Sequence, residues 1–529
     1  MKVRFCVLAA TVACALVGSV TPIASAEQGP AVPTLDWQPC GQARNVTCTT
    51  VEVPRDYERP RGASLQLFVA KSPATEQAHK IGSLFINLGG PGAPAAEIFQ
   101  QSGADRFPAL NARFDILAVD PRGVGQSQPS IDCKANQETD GIYSQPFITP
   151  DSLDVAAVIA KDARYIGRCL ELNHDVLPHV STANVARDMD LIRRALGERQ
   201  ITYFGFSYGT FLGATYASLF PDNYRSMVLD GPVDADAYIN DPLSNLRAQT
   251  TAFERALGRF LQACAGDQAA CQGFGGRDPW DAYDRLLARL DATPVPTPDG
   301  RAVDGDDARI GTVLALYNKA SWPFLSQALA DLEHGNGERM RRAADLFYGR
   351  DVDGFDQELF DRYFAITALE QDYPRDVDTY LQAGKQSWTE HEHFWWNSGY
   401  LELNYGLYPL RADDVFYGPF RAPPSSPTPL VVATTYDPAT PYNGALNLVR
   451  DLGNARLLTM RGDGHTAYLG NSACIDAAVE AYVNDGTLPL PDTQCPQDVG
   501  FSAPQSRQLA PAPRVDAIRP HTSPPGPLR

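Results

Sequence analysis

The sequence predicts an α/β protein: a mostly parallel sheet with helices on both faces, broken by a long helical insertion. Three observations carry this. Apolar runs with almost no polar break alternate with helical patterns up to about residue 234; a glycine-flanked serine stands at one run-to-helix junction; and the alternation stops between 235 and 425, then resumes.

In chain order, 46–53 (VTCTTVEV) and 63–71 (ASLQLFVAK) alternate apolar and polar residues as antiparallel edge strands do. The runs 82–88, 114–120, 200–205, 225–230 and 429–435 lack that alternation and read as strands buried on both faces. Between them, 182–196 places Val185, Met189, Ile192 and Leu196 on one helical face, with Thr182 as a cap. Within the insertion, Leu257, Phe260 and Leu261, then Leu286, Leu287 and Leu290, then 314–316, suit short amphipathic helices. The proline-rich stretch 421–429 ends the insertion, and the prolines of 504–529 mark a disordered tail. The expected division is a signal peptide over 1–26, a core over 27–234, a mostly helical cap over 235–425, the core's C-terminal part over 426–500, and the tail over 501–529.

The 529 residues carry 45 Lys+Arg against 63 Asp+Glu, a formal net charge of −18, which disfavours a nucleic-acid partner. Lys2 and Arg4, an apolar stretch over 5–20 and the Ala24-Ser25-Ala26 site read as a secretory signal, so the protein is expected to be secreted without lasting membrane insertion. A lipid tether at Cys14 is the lesser alternative. Eight cysteines follow the signal, and an even count in an exported chain reads as four disulfides. Eight cysteines allow about 105 connectivities, but their grouping favours Cys40–Cys48, Cys133–Cys169, Cys264–Cys271 and Cys474–Cys495.

Gly205-Phe206-Ser207-Tyr208-Gly209 lies between an apolar run and a segment of helical composition. That context suits a nucleophilic serine on a sharp strand-to-helix turn, with the N–H of Tyr208 aimed at a developing oxyanion. The base expected for it is His465, in a glycine-rich loop after the apolar run 455–460. The acid is expected at Asp437, after the run 429–435, with Asp230 as the competitor. Thr440 either orients Asp437 or caps the next helix, and the cap is favoured. Asn87-Leu88-Gly89-Gly90-Pro91-Gly92 supplies the second oxyanion donor, and Gly90 is chosen because Pro91 has no N–H. The loop 120–127 reads as a structural turn beside the site.

With these residues together, the chain resembles the secreted tripeptidyl and prolyl aminopeptidases of bacteria, a serine peptidase branch of the α/β-hydrolases. The resemblance rests on Gly89-Gly90-Pro91-Gly92, the loop 120–127, Gly205–Gly209, Val228–Gly231, Asp437–Pro441 and Gly464-His465, and spans roughly residues 35 to 500. It implies a hydrolase core with a helical cap, removal of short peptides or single residues from free N-termini, and Ser207, Asp437 and His465 as the triad. Leu88 departs from the pattern, where relatives carry His or Pro.

Binding a substrate ammonium needs fixed carboxylates, for which Glu370 and Asp372, or Glu390 and Glu392, are candidates. No metal or cofactor is implied, and a monomer acting on peptides is expected. The competing readings are a secreted carboxylesterase or lipase with the same triad, and an extracellular binding protein that retains the hydrolase fold.

Overall fold

The computed structural model describes residues 29–501, apart from 42, 44, 138, 352, 353 and 356. The expected signal peptide with Cys14, and the expected tail beyond residue 501, lie outside the described residues.

One ten-stranded sheet organises the chain. Its strands are β1 (Gln38–Pro39), β2 (Thr47–Pro54), β3 (Ser64–Ser72), β4 (Gly82–Asn87), β5 (Phe114–Val119), β6 (Ile201–Phe206), β7 (Tyr224–Asp230), β8 (Leu430–Tyr436), β9 (Arg456–Asp463) and β10 (Gln494–Pro496), in the spatial order β1-β2-β3-β5-β4-β6-β7-β8-β9-β10. The first three strands pair antiparallel, and β3 pairs antiparallel with β5. From β5 to β10 every pairing is parallel. The predicted strands are present, and the α/β class read from them holds. β1 and β10 were not anticipated, because two exposed residues, and three in an alternating exposed and buried pattern, carry no apolar run.

Parallel neighbours require crossovers, and these are helical. They are α1 (Ala95–Ser102), α2 (Val155–Asn173), α3 (Thr182–Ala195) and α4 (Tyr208–Leu219) in the first part, then α12 (Tyr442–Leu452) and α13 (Ala473–Asp485) after the insertion. Between β7 and β8 the longer helices are α5 (Pro242–Gly266), α6 (Pro279–Ala292), α7 (Gly305–Leu316), α8 (Trp322–Glu333), α9 (Glu338–Phe347), α10 (Gln357–Glu370) and α11 (Val377–Glu390). The apolar packing divides this segment. Side chains of α5 to α9 form a cluster of their own with Phe394, Trp395 and Trp396. Phe360, Phe364 and Leu369 of α10 instead join the core cluster that contains Tyr208, Phe211 and Met189.

The loop after β5 is a fastening point. Asp120 accepts the N–H groups of Ala96, Glu97 and Gln126, tying the start of α1 to the turn. Arg122 is 1% exposed and makes a two-pronged ion pair with Asp188 of α3 at 2.8 and 2.7 Å. Its remaining N–H groups go to the carbonyls of Pro54, Arg55 and His179. Breaking a buried pair strands a charge, so Asp188→Ala is expected to cost about 3–5 kcal/mol in chemical denaturation. Four disulfides join Cys40–Cys48, Cys133–Cys169, Cys264–Cys271 and Cys474–Cys495. Among the described residues, no helix is long and apolar enough to cross a membrane.

Candidate active site

β6 ends at Phe206, and α4 begins at Tyr208. Ser207 between them has φ 55° and ψ −125°, a strained backbone for a residue with a side chain. Neighbours hold it there. Its N–H donates to the Asp230 carbonyl at 2.9 Å, and its own carbonyl accepts the Thr210 N–H at 2.8 Å and the Thr210 hydroxyl at 2.6 Å. The turn is so tight that a Cβ on Gly205 would lie 2.2 Å from the Gly209 carbonyl oxygen. Tyr208 opens the helix, so its N–H lies in the first turn, where no intrahelical acceptor exists.

The loop after β4 comes up beside the serine. A Cβ on Gly89 would sit 3.0 Å from the Ser207 Cβ, and Gly89 N–H donates to Asn87 Oδ1 at 3.0 Å, fixing the turn. The next peptide carries the N–H of Gly90. On its other side the loop meets α10, because a Cβ on Gly92 would fall 2.9 Å from the Arg362 Cβ.

Asp437 and His465 follow adjacent parallel strands, β8 and β9, so both loops emerge at the same sheet edge. Asp437 is 1% exposed, and its Oδ1 accepts the N–H groups of Ala439 and Thr440 at 2.9 and 2.8 Å. His465 Nδ1 lies 3.0 and 2.9 Å from the two Asp437 oxygens. A carboxylate only accepts, so Nδ1 carries the proton and Nε2 is left as a base. Burial pushes the imidazole pKa down, but Asp437, by charge and hydrogen bond, outweighs it and leaves the pKa above its ordinary value. Nε2 is buried without a hydrogen-bond partner among the described residues.

Thr440 corrects one expectation. α12 has Pro441 at its N-cap and no side-chain cap bond, while the Thr440 hydroxyl donates to Asp437 Oδ2 at 3.0 Å and lies 3.2 Å from His465 Nδ1. The buried Asp437 carboxylate is a charged acceptor nearer than the helix end, so the threonine orients Asp437. Asp230 faces elsewhere. Fully buried, it accepts the N–H of Ala467 at 2.9 and 3.1 Å and that of Tyr468 at 2.9 Å, and burial raises its pKa to about 7. It therefore braces the turn that follows His465.

The acidic pair expected for an ammonium is split. Glu370 is 1% exposed, with one oxygen taking the Thr182 N–H at 2.6 Å and the other the Thr182 hydroxyl at 2.7 Å. Thr182 in turn lies 2.5 Å from the Tyr208 hydroxyl, so Glu370 is an internal link from α10 to the serine turn, its pKa raised by burial to about 7. Asp372 is exposed, 4.0 Å from Arg411. Glu390 is paired with Arg247 at 2.8 and 2.7 Å, and Glu392 is exposed.

Three residues at the site escaped the sequence reading: Tyr317, Lys319 and Asp463. The Tyr317 carbonyl accepts the His465 N–H at 2.6 Å, and its ring stands edge-on to the imidazole, 5.6 Å between centres. Lys319 donates to Asp463 at 2.8 Å. An aspartate two places before the histidine was a visible signal; nothing local marks Tyr317 or Lys319.

Residues 84–293 match the α/β hydrolase fold family, and residues 418–495 match the TAP-like proteins. Serine protease Hip1 of Mycobacterium tuberculosis is 32% identical over 487 residues, covering 87% of this chain and 91% of that protein. The chain belongs to the TAP-like branch of the α/β-hydrolases. Carboxylesterase B of Mycobacterium tuberculosis is also 32% identical to this TAP-like hydrolase, over 88% of this chain and 90% of its own length. Tripeptidyl aminopeptidase of Streptomyces lividans is 28% identical over 87% and 86% of the two chains. All three relatives carry the names of hydrolytic enzymes, two of them peptidases and one an esterase.

Proposed function

We propose that the protein is a secreted serine exopeptidase that releases short peptides from free N-termini through an acyl-enzyme. The observation that carries the chemistry is the imidazole of His465, held at Nδ1 by Asp437 with Nε2 left as an acceptor, on the same protein as a serine at a strained strand-to-helix turn. In this reading His465 Nε2 takes the Ser207 hydroxyl proton as the oxygen attacks the scissile carbonyl. The Gly90 and Tyr208 N–H groups receive the tetrahedral oxyanion, and the proton passes to the departing amine. Water, activated by the same imidazole, then attacks the acyl-enzyme, and Ser207 recovers its proton.

Two features support the exopeptidase part. One is the likeness to a tripeptidyl aminopeptidase. The other is the helical segment between β7 and β8, which we read as a cap over the cleft within 235–425; a cap that closes one end admits chain ends and excludes mid-chain bonds. Four disulfides support an extracellular setting. The likeness to carboxylesterase B favours a second reading, the same triad acting on esters.

A tripeptide joined to a chromogenic amine, free or N-acetylated, separates the two. Hydrolysis of the free-amine form at least about 100-fold faster, as expected for loss of a paired charge, supports the exopeptidase. Equal rates for the free and N-acetylated forms would exclude it.

The base also sets a pH dependence. His465 acts only when neutral, and its pKa lies above the ordinary imidazole value because Asp437 overrides burial. As pH falls the imidazole gains its proton earlier than a free histidine does, so kcat/KM should fall through a midpoint above about 6.5. A pH–rate profile on the free-amine substrate reads this directly.

A further inference from the structure

The histidine loop is fastened from outside the sheet. His465 N–H donates to the Tyr317 carbonyl at 2.6 Å, and Gly464 pairs with Asn318 as an isolated antiparallel bridge. Gly464 has φ 104°, and a Cβ there would meet the Tyr317 carbonyl oxygen at 3.0 Å and the Lys319 nitrogen at 3.3 Å. Only glycine serves, both for the backbone angle and for the approach of the second chain. Just before it, the carboxylate of Asp463 is 5% exposed and accepts Lys319 Nζ at 2.8 Å on one oxygen and Arg259 Nε on the other. Arg259 belongs to α5, and its guanidinium also lies 3.5 Å from the centre of the Tyr436 ring, the residue before Asp437. Gln497 closes the remaining side, accepting the Asp463 N–H at 3.0 Å and donating to its carbonyl at 2.8 Å.

We propose that Asp463 is a positioning residue for the catalytic base: with Lys319 and Arg259 it locks the His465 loop to the helical segment between β7 and β8, so the imidazole is aligned only while that segment is docked. The inference rests on the reading of His465 as the base. The physical basis is a division of labour. Asp437 fixes the ring at Nδ1, which sets its tautomer and one axis. It does not fix the backbone from which the ring hangs. That backbone leaves β9 at Asp463; Asp230 braces it from the sheet beyond His465, and its anchors on the helical segment are the Tyr317 carbonyl and the two cations on Asp463. Both ion-pair partners are largely out of water, Lys319 at 20% and Arg259 at 33% side-chain exposure against 5% for Asp463. The attraction is therefore less screened than at an open surface. Displacement of a base by about 1 Å can cost about 100-fold in rate, so an anchor of this kind acts on turnover more than on binding.

The test uses the mature full-length enzyme with Asp463→Asn and Lys319→Met, titrating active serines with a fluorophosphonate so that turnover is expressed per competent site. The expected result is a kcat per titrated site lowered about 10- to 100-fold in each variant, with KM within about twofold. The double variant should be little worse than either single one, as expected for residues acting as a unit. A residue that only supports folding would lower the number of titrated sites and leave turnover per site unchanged; that outcome in both variants overturns the proposal. Should Asp463→Asn not fold, Lys319→Met decides alone by the same criterion. Failure of the underlying reading looks different: Ser207→Ala or His465→Ala would then retain activity, whatever Asp463→Asn does.

Discussion

Ser207→Ala is expected to lower peptide turnover by about 10⁴- to 10⁶-fold and to abolish fluorophosphonate labelling. Loss of the hydroxyl removes the covalent route, while the oxyanion donors and substrate binding remain, so a residual rate above that in water should persist. The fold should barely notice, because Ser207 is held by backbone hydrogen bonds to Asp230 and Thr210 that alanine keeps. Ser207→Gly should be equally inactive and more stable by about 1 kcal/mol, since the φ of 55° costs a glycine nothing. Kinetics with thermal denaturation of the two variants reads both effects. Full activity in a folded Ser207→Ala protein would sink the mechanism.

The second large effect concerns the acid. Asp437→Asn preserves size but turns one acceptor into a donor. Asp437 Oδ1 already receives two backbone N–H groups and Oδ2 the Thr440 hydroxyl, so an amide NH₂ is forced toward either a donor or the imidazole. Facing the imidazole, it would make Nδ1 the acceptor and move the proton to Nε2, the atom that must take the serine proton. A loss of about 10⁴-fold in kcat is expected, as for the wrong tautomer in other triads. Asp230→Asn should behave otherwise. Its partners are the N–H groups of Ala467 and Tyr468, so the amide costs stability while the imidazole keeps its acid. A larger kcat loss in Asp230→Asn than in Asp437→Asn would reverse the assignment. Thr440→Val, which deletes a hydroxyl donor but neither charge, should fall between, at about 10-fold.

Much of this was legible in the chain because it is local. The seven buried or alternating runs became strands since periodicity and β-branched content act within each run, and parallel order follows from the helices between them. Gly205 and Gly209 mark the elbow because their missing side chains are the space the turn needs. Thr440 differs from its expected cap role because a threonine before a proline fits a helix start as well as a turn; what decides is the buried carboxylate of Asp437, whose position no local pattern reveals. Glu370 and Asp372 are close in sequence, yet one lies in the core and the other in water, since α10 ends between them. The attachment of Tyr317 and Lys319 to the histidine loop joins positions about 150 residues apart. Such a contact is a property of the packed insertion rather than of any stretch of sequence.

That insertion is two objects in one length of chain. α10 is built into the frame: its middle meets Gly92 of the loop after β4, and its end reaches the elbow through Glu370, Thr182 and the Tyr208 hydroxyl. α5 to α9 carry their own apolar interior and reach the loops of Asp437 and His465 at the joint between α7 and α8 and from α5, through Arg259 to Asp463 and Gln249 to the Ala439 carbonyl. On the proposed reading of this segment as a cap, the door would be α5 to α9 and α10 its jamb. Swinging such a door would widen the entrance and at the same stroke withdraw the support of the base. A bulky folded polypeptide that wedges the door ajar would meet an idle serine, whereas a short flexible end that lets it shut would be cut. Selection by size would then need no dedicated recognition site, only the latch.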